Sequence, residues 1–203
     1  MSPPGPGRPR SPEADQAIVD AALVVFAEAG YEGLTIEAVA ARAGVGKATV
    51  YRRYPGKAEL VFHAASCLTG GDAPDADTGS LAGDFRVLAR WLVHVLDGTI
   101  AGRCVPQLVA AVARAPELAG EHARFVAERR YHAVIAVERA MVRGEVAPDT
   151  DAELVADLFA GPIFYRHLVC RGGLDVDYAD RVVDAVLASV APRVTGEPTT
   201  VTV

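Results

Sequence analysis

The chain is 203 residues long, 51% hydrophobic and only 6% aromatic, which is enough apolar material for one or two small packed domains. Three scattered cysteines (Cys67, Cys104 and Cys170) argue against a disulfide framework and for a reducing compartment, and no apolar run approaches the roughly 20 residues of a membrane span. The net charge of −6 is uneven: residues 1–57 carry seven basic side chains against six acidic ones, which leaves −7 for the remainder, and Lys47 and Lys57 are the only lysines.

Alanine-rich periodic segments without two-residue alternation predict an all-α chain of about nine helices. Residues 1–12, MSPPGPGRPRSP, hold too many prolines and glycines to fold alone and lack the apolar core of a signal peptide, so a cytoplasmic location is expected. Arg8 and Arg10 make a short basic arm, either laid into a DNA minor groove or left as a solvated tail. Ile18, Ala22, Val25, Phe26 and Ala29 share one face of a helix expected over 13–29, which Gly30 ends. Leu34, in the connector, is a staple into the core.

Thr35 is expected to cap a short helix whose apolar face is Ile36, Val39, Ala40 and Ala43, with Glu37 favourably placed in its first turn. Gly44 stops that helix in the left-handed conformation, Val45 plugs the turn, and Gly46 starts a second short helix. Two short helices at a tight glycine turn, over about 35–54, make a helix-turn-helix whose second member docks in the DNA major groove. At about 100° per residue, Val50 and Tyr54 fall inward, while Ala48, Thr49, Arg52 and Arg53 point into the groove. Arginine suits guanine, and the methyls of Ala48 and Thr49 suit thymine. Thr35, Lys47, Tyr51 and Lys57 are expected on phosphates. A phosphate-binding loop at GVGK is excluded, because positions 41 and 48 are alanine and a helix precedes it.

AGVGKATVYRRYPGKAELV resembles the recognition segment of the TetR/AcrR family of bacterial regulators, whose usual pattern is roughly AGVSxGTLYxxFxxKExL. Gly46 stands where serine is common, Ala48 where glycine is, and Tyr54 where phenylalanine is. The match covers about residues 10 to 65, and GPIFYRHLV resembles a C-terminal subgroup of these regulators. The resemblance implies an N-terminal three-helix DNA-binding domain on a larger helical domain that dimerises and holds an inducer pocket.

Onward, helices are expected over 57–68, 81–97 (capped by Ser80), 102–114 with Pro106 early in it, 116–143, 151–171, and from Asp177 to about Pro192. An acidic loop covers 70–79. Leu158 to Tyr165 carries no charge, and Val182, Val183, Val186, Leu187 and Val190 cover more than one helix face. Such helices need burial on two sides, so the last two are expected to meet a second copy around a two-fold axis; a fully buried pair in a monomer is the alternative. Trp91, His94, Cys104, Phe125, Phe159, Phe164 and Tyr165, with Tyr131, are candidates to line a mostly apolar ligand cavity, each with a plain core role as the alternative.

His63 and Cys67 have ligand spacing but no third ligand nearby, so no metal is expected. No cofactor is expected, and no catalytic signature supports an enzyme. The division is then a basic arm (1–12), a DNA-binding domain (13–57), a ligand-binding and dimerisation domain (58–192) and a disordered tail (193–203). The expected function is a homodimeric repressor released from a palindromic double-stranded operator by a small-molecule inducer. An activator or dual regulator with the same head, or a ligand-binding protein with a vestigial head, are the rival readings. Membranes play no part in any of them.

Overall fold

The computed structural model describes residues 12–68, 73–170 and 172–191; the basic arm with Arg8 and Arg10, positions 69–72 of the acidic loop, and the C-terminal tail lie outside them. Among the described residues there are nine α-helices and no strand. They are α1 (Pro12–Gly33), α2 (Ile36–Ala43), α3 (Lys47–Tyr51), α4 (Lys57–Leu68), α5 (Leu81–Gly98), α6 (Ile100–Arg114), α7 (Ala119–Arg143), α8 (Ala152–Tyr165) and α9 (Val176–Val190). A short 3₁₀ turn, Pro116–Leu118, leads into α7, and a π turn, Arg166–Cys170, follows α8.

The chain forms two compact units. The first takes Met1–Asp72 with Val95–Arg129, and the second takes Ala73–His94 with Arg130–Val203. In the first, α1 packs against α2, α4 and α6. Ile18, Ala22 and Phe26 of α1, Val39 of α2, Val50 of α3, Leu60 and Ala64 of α4, and Leu118 are all buried in one cluster. Burying a ring such as Phe26 contributes about 1.5–3 kcal/mol. Gly30 has φ 67 and breaks α1 where the expected helix ends, so Tyr31 to Gly33 form only a last irregular turn.

In the second unit, Phe85 of α5 stacks on Phe159 of α8 at 4.6 Å. Ala136, Val137 and Ala140 of α7 and Ala179, Val182 and Val183 of α9 complete its core. Asp84 is fully buried, and its Oδ1 accepts from the Thr78 backbone N–H at 2.6 Å and the Thr78 hydroxyl at 2.7 Å. Glu145 accepts from the Leu81 N–H at 2.7 Å and pairs with Arg143, which ties the start of α5 to the end of α7.

Several helix ends differ from expectation: α3 ends at Tyr51 rather than near Tyr54, α7 starts at Ala119 after the 3₁₀ turn that Pro116 opens, and the ends of α6, α8 and α9 shift for local reasons. Thr99 caps α6 by accepting from the Gly102 N–H, so the helix begins at Ile100 and Pro106 lies well inside it, where it supplies no N–H to the ladder. α9 begins at Val176, one residue before the expected Asp177, because Asp175 caps it by accepting from the Tyr178 N–H at 2.7 Å. Regular α8 ends at Tyr165 after Gly161-Pro162, and the chain continues in the π turn rather than to Arg171, which is outside the described residues. Ser80 caps α5 as expected, and Asp151, expected as the first residue of its helix, caps α8 from just outside it.

Candidate nucleic-acid interface

The helix-turn-helix is built by local signals. Thr35 Oγ1 accepts from the Ala38 N–H at 3.1 Å, satisfying one of the orphan donors of α2. Gly44 sits at φ 67, ψ 29, a left-handed conformation that a side chain would strain, and Val45 N–H donates to Ala40 O at 3.0 Å to close the helix. Val45 packs against the core beneath the turn. Gly46 is extended and offers α3 no side-chain cap; the serine common in the family at this position would supply one.

The inward anchors are Val50 within α3 and Tyr54, three residues past its end. Val50 is fully buried and Tyr54 nearly so. Burial, together with the nearby Asp15 carboxylate, pushes the Tyr54 phenol up. Lys47, Ala48, Tyr51 and Arg52 are exposed, with Thr49 half-buried at the edge of that surface.

The cations fare differently from one another. Lys47 pairs with Glu37 at 2.7 Å, and that hydrogen bond is the main reason the Glu37 carboxyl is held below its ordinary value. Arg42 grips Glu28 with both terminal nitrogens, at 2.7 and 3.1 Å. Lys57 is held at the start of α4, its ammonium donating to Tyr31 O at 3.2 Å and lying 4.2 Å from the centre of the Tyr31 ring. Arg53 departs from the expected outward placement: its side chain is 9% exposed and pairs with Asp15 of α1. Its Nη1 also donates to Thr49 O at 3.4 Å. Arg52 has no side-chain partner among the described residues. Arg10 lies outside them.

Residues 18–64 match the bacterial regulatory proteins of the tetR family, and residues 75–186 match the tetracyclin repressor-like C-terminal domain. The chain belongs to the TetR family. It is 33% identical over 181 residues to the HTH-type transcriptional regulator YdeS of Bacillus subtilis, covering 88% of this chain and 91% of that one. It is 32% identical over 182 residues to the DNA-binding transcriptional repressor TetR of Mycobacteroides abscessus, covering 84% and 90%. The crystal structure of the TetR-family regulator SCO0332 superposes with a TM-score of 0.68 at 28% identity, covering 89% of this chain and 100% of that one. This TetR-family protein is therefore a transcriptional regulator with a DNA-binding helix-turn-helix at its N-terminal end.

The candidates for a ligand cavity are divided between the units. In the first, Cys104 is buried in the core cluster, and Phe125 packs at 5.7 Å on Phe62. Phe125 also lines a cleft of about 580 Å³ together with Asp15, Arg52, Arg53, Tyr54, Phe62 and His63. In the second unit, Phe159 is a core ring, Trp91 and Phe164 are half-buried, and His94 and Tyr165 are exposed. A cleft of about 980 Å³ there is lined by Val146, Leu154, Leu158 and Val190 with Asp149 and Asp151, and by none of those candidates. By sequence, Leu158 and Val190 fall on the expected dimer face, and the other lining residues come from a turn and a helix start, which carry no aromatic signal.

His63 Nε2 and Cys67 Sγ are 3.4 Å apart, and no third His, Cys, Asp or Glu joins them among the described residues. Burial pushes the Cys67 and Cys104 thiols up, away from the reactive thiolate. No single helix among the described residues is long and apolar enough to cross a membrane.

Proposed function

We propose that this regulator is a homodimeric repressor that releases a palindromic operator when a small molecule binds its body. The observation that carries the reading is the surface of α3. Val50 and Tyr54 anchor it from within while Lys47, Ala48, Tyr51 and Arg52 stand exposed with Thr49 beside them. Arg52 is the arginine assigned to a base edge, and Lys47, Tyr51, Thr35 and Lys57 are assigned to phosphates, with Arg10 of the arm in the adjacent minor groove. Repression follows the M. abscessus relative, which is a DNA-binding transcriptional repressor.

The dimer reading rests on α8 and α9. Leu154, Leu158 at 44% exposure and Tyr165 at 60% on α8, Val169 in the π turn after it and Val176 at the start of α9 leave large apolar side chains uncovered. A second copy would bury them about a two-fold axis and set two reading helices one duplex turn apart. Residues 13–57 then act as the DNA-binding head and 58–192 as the sensing and dimerising body. An inducer acts only through a difference in its affinity for the DNA-bound and released shapes.

The test is a gel shift with the duplex immediately upstream of the protein's own coding sequence, alongside the protein's mass by light scattering. A dimer that shifts this duplex and raises no transcription from it supports the reading. A monomer, or a protein that shifts the duplex no better than a shuffled one, overturns it.

A further inference from the structure

We propose that Asp15 and Arg53 form a clasp that positions the DNA-reading helix, so that Asp15, on a different helix, sets operator affinity and discrimination. The proposal rests on the reading of α3 as the base-reading element. α3 has five residues, too few for its own hydrogen bonds to hold it helical. It has no side-chain cap at Gly46, and its other end closes on Arg52 in ordinary right-handed geometry rather than on a left-handed residue. Its direction must therefore come from neighbouring helices.

Val50 within α3 and Tyr54 just beyond its end supply two buried anchors. Two points leave a rod free to roll about the line that joins them. A third point, off that line, stops the roll. Arg53 supplies it. Its guanidinium pairs with Asp15 of α1 and also donates to the backbone oxygen of Thr49, so a carboxylate on one helix is linked to the middle of another. A cation at the C-terminal end of α3 is also favoured by the helix dipole. A phosphate contact needs an exposed guanidinium, which Arg52 offers and Arg53, at 9% exposure, does not. Pulling the pair apart would leave a largely desolvated charge without its partner.

Asp15→Asn separates this account from the ordinary one, because the two predict opposite signs. If Asp15 merely competes with phosphate for Arg53, the variant frees the arginine, binds the upstream duplex more tightly and steepens the salt dependence. If the pair is a positioning clasp, affinity for the upstream duplex falls about 10-fold, the preference over a shuffled duplex shrinks, and the slope of log K against log salt is unchanged. Asp15→Glu restores most of the loss. Equal or tighter binding, or a steeper slope, overturns the proposal. So does a proportional loss on both duplexes that tracks a lower folded fraction in thermal melting. Should Asp15→Asn melt below the assay temperature, Arg53→Lys keeps the charge but loses the planar fork: weaker, less discriminating binding at unchanged slope supports the clasp, and wild-type binding overturns it. Wild-type protein that shifts no duplex refutes the DNA-reading assignment itself, and the same gel distinguishes that result from a shift lost only in the variant.

Discussion

The two surfaces proposed to meet partners differ in the large side chains they leave exposed. Around α3 the exposed groups are polar or cationic, and most cations are already tied: Lys47 to Glu37, Arg42 to Glu28, Arg53 to Asp15, Lys57 to the Tyr31 carbonyl. Along α8 and α9 large apolar side chains such as Leu154, Leu158, Tyr165 and Val176 stand exposed among charged ones, and ion pairs such as Arg130 with Glu153 and Arg86 with Asp184 use those charges between helices of the same unit. The difference follows from what each surface is proposed to meet. A charged polymer can displace an exposed carboxylate from a lysine at little cost, because exposed pairs contribute only about 0–1 kcal/mol. An apolar surface gains only by leaving water, and needs a matching apolar partner to do so.

Leu158→Glu on α8 tests the apolar surface and carries the largest expected effect. A charge at the proposed two-fold interface yields a monomer by light scattering, and loss of the second head weakens operator binding by about 10²–10⁴-fold. A Leu158→Glu protein that remains a dimer with full affinity puts the interface elsewhere. On the polar surface, Arg52→Ala removes an exposed arginine that has no side-chain partner among the described residues. Operator affinity falls by about 1–3 kcal/mol with relaxed base preference, as read by competition with single-base operator variants. Wild-type discrimination in that variant would remove Arg52 from the base-reading role.

Smaller is the effect of Thr35→Ala. It deletes the cap of α2 and costs about 1 kcal/mol of stability in chemical denaturation, with little change at α8 and α9. The weakest expected effect concerns Glu37, whose carboxyl is held below its ordinary value of 4.5 chiefly by the Lys47 hydrogen bond. A carboxyl lowered by folding adds stability that is fully present above its unfolded pKa and is lost as pH falls through the folded one. Lys47→Ala should therefore raise the Glu37 titration toward the ordinary range in carbon-detected NMR, and flatten the acid limb of stability slightly. An unmoved Glu37 titration would show that the pair does not persist in solution.

Much of the reading head was legible in order along the chain. The Thr35 cap, the left-handed Gly44, the Val45 plug and the inward Val50 and Tyr54 depend on neighbours within about one helical turn, and such signals survive without knowledge of the fold. The start of α9 is less sharply written: Asp175 and Asp177 are two residues apart, and only the extended backbone at Asp175 makes it the cap. The proposed ligand site was less legible. Aromatic residues are as good at filling a core as at lining a pocket, and Phe159 stacks on Phe85 in the core.

Local sequence by itself determined that the protein is all-helical, that a helix-turn-helix opens it, and which side of α3 is buried. Tertiary structure alone decided what becomes of the arginines at the end of α3. Arg52 and Arg53 are neighbours of the same type, and nothing within a helical turn distinguishes them. Asp15 arrives from another helix beside one and not the other, and a long cationic side chain goes to whichever carboxylate the fold brings within reach.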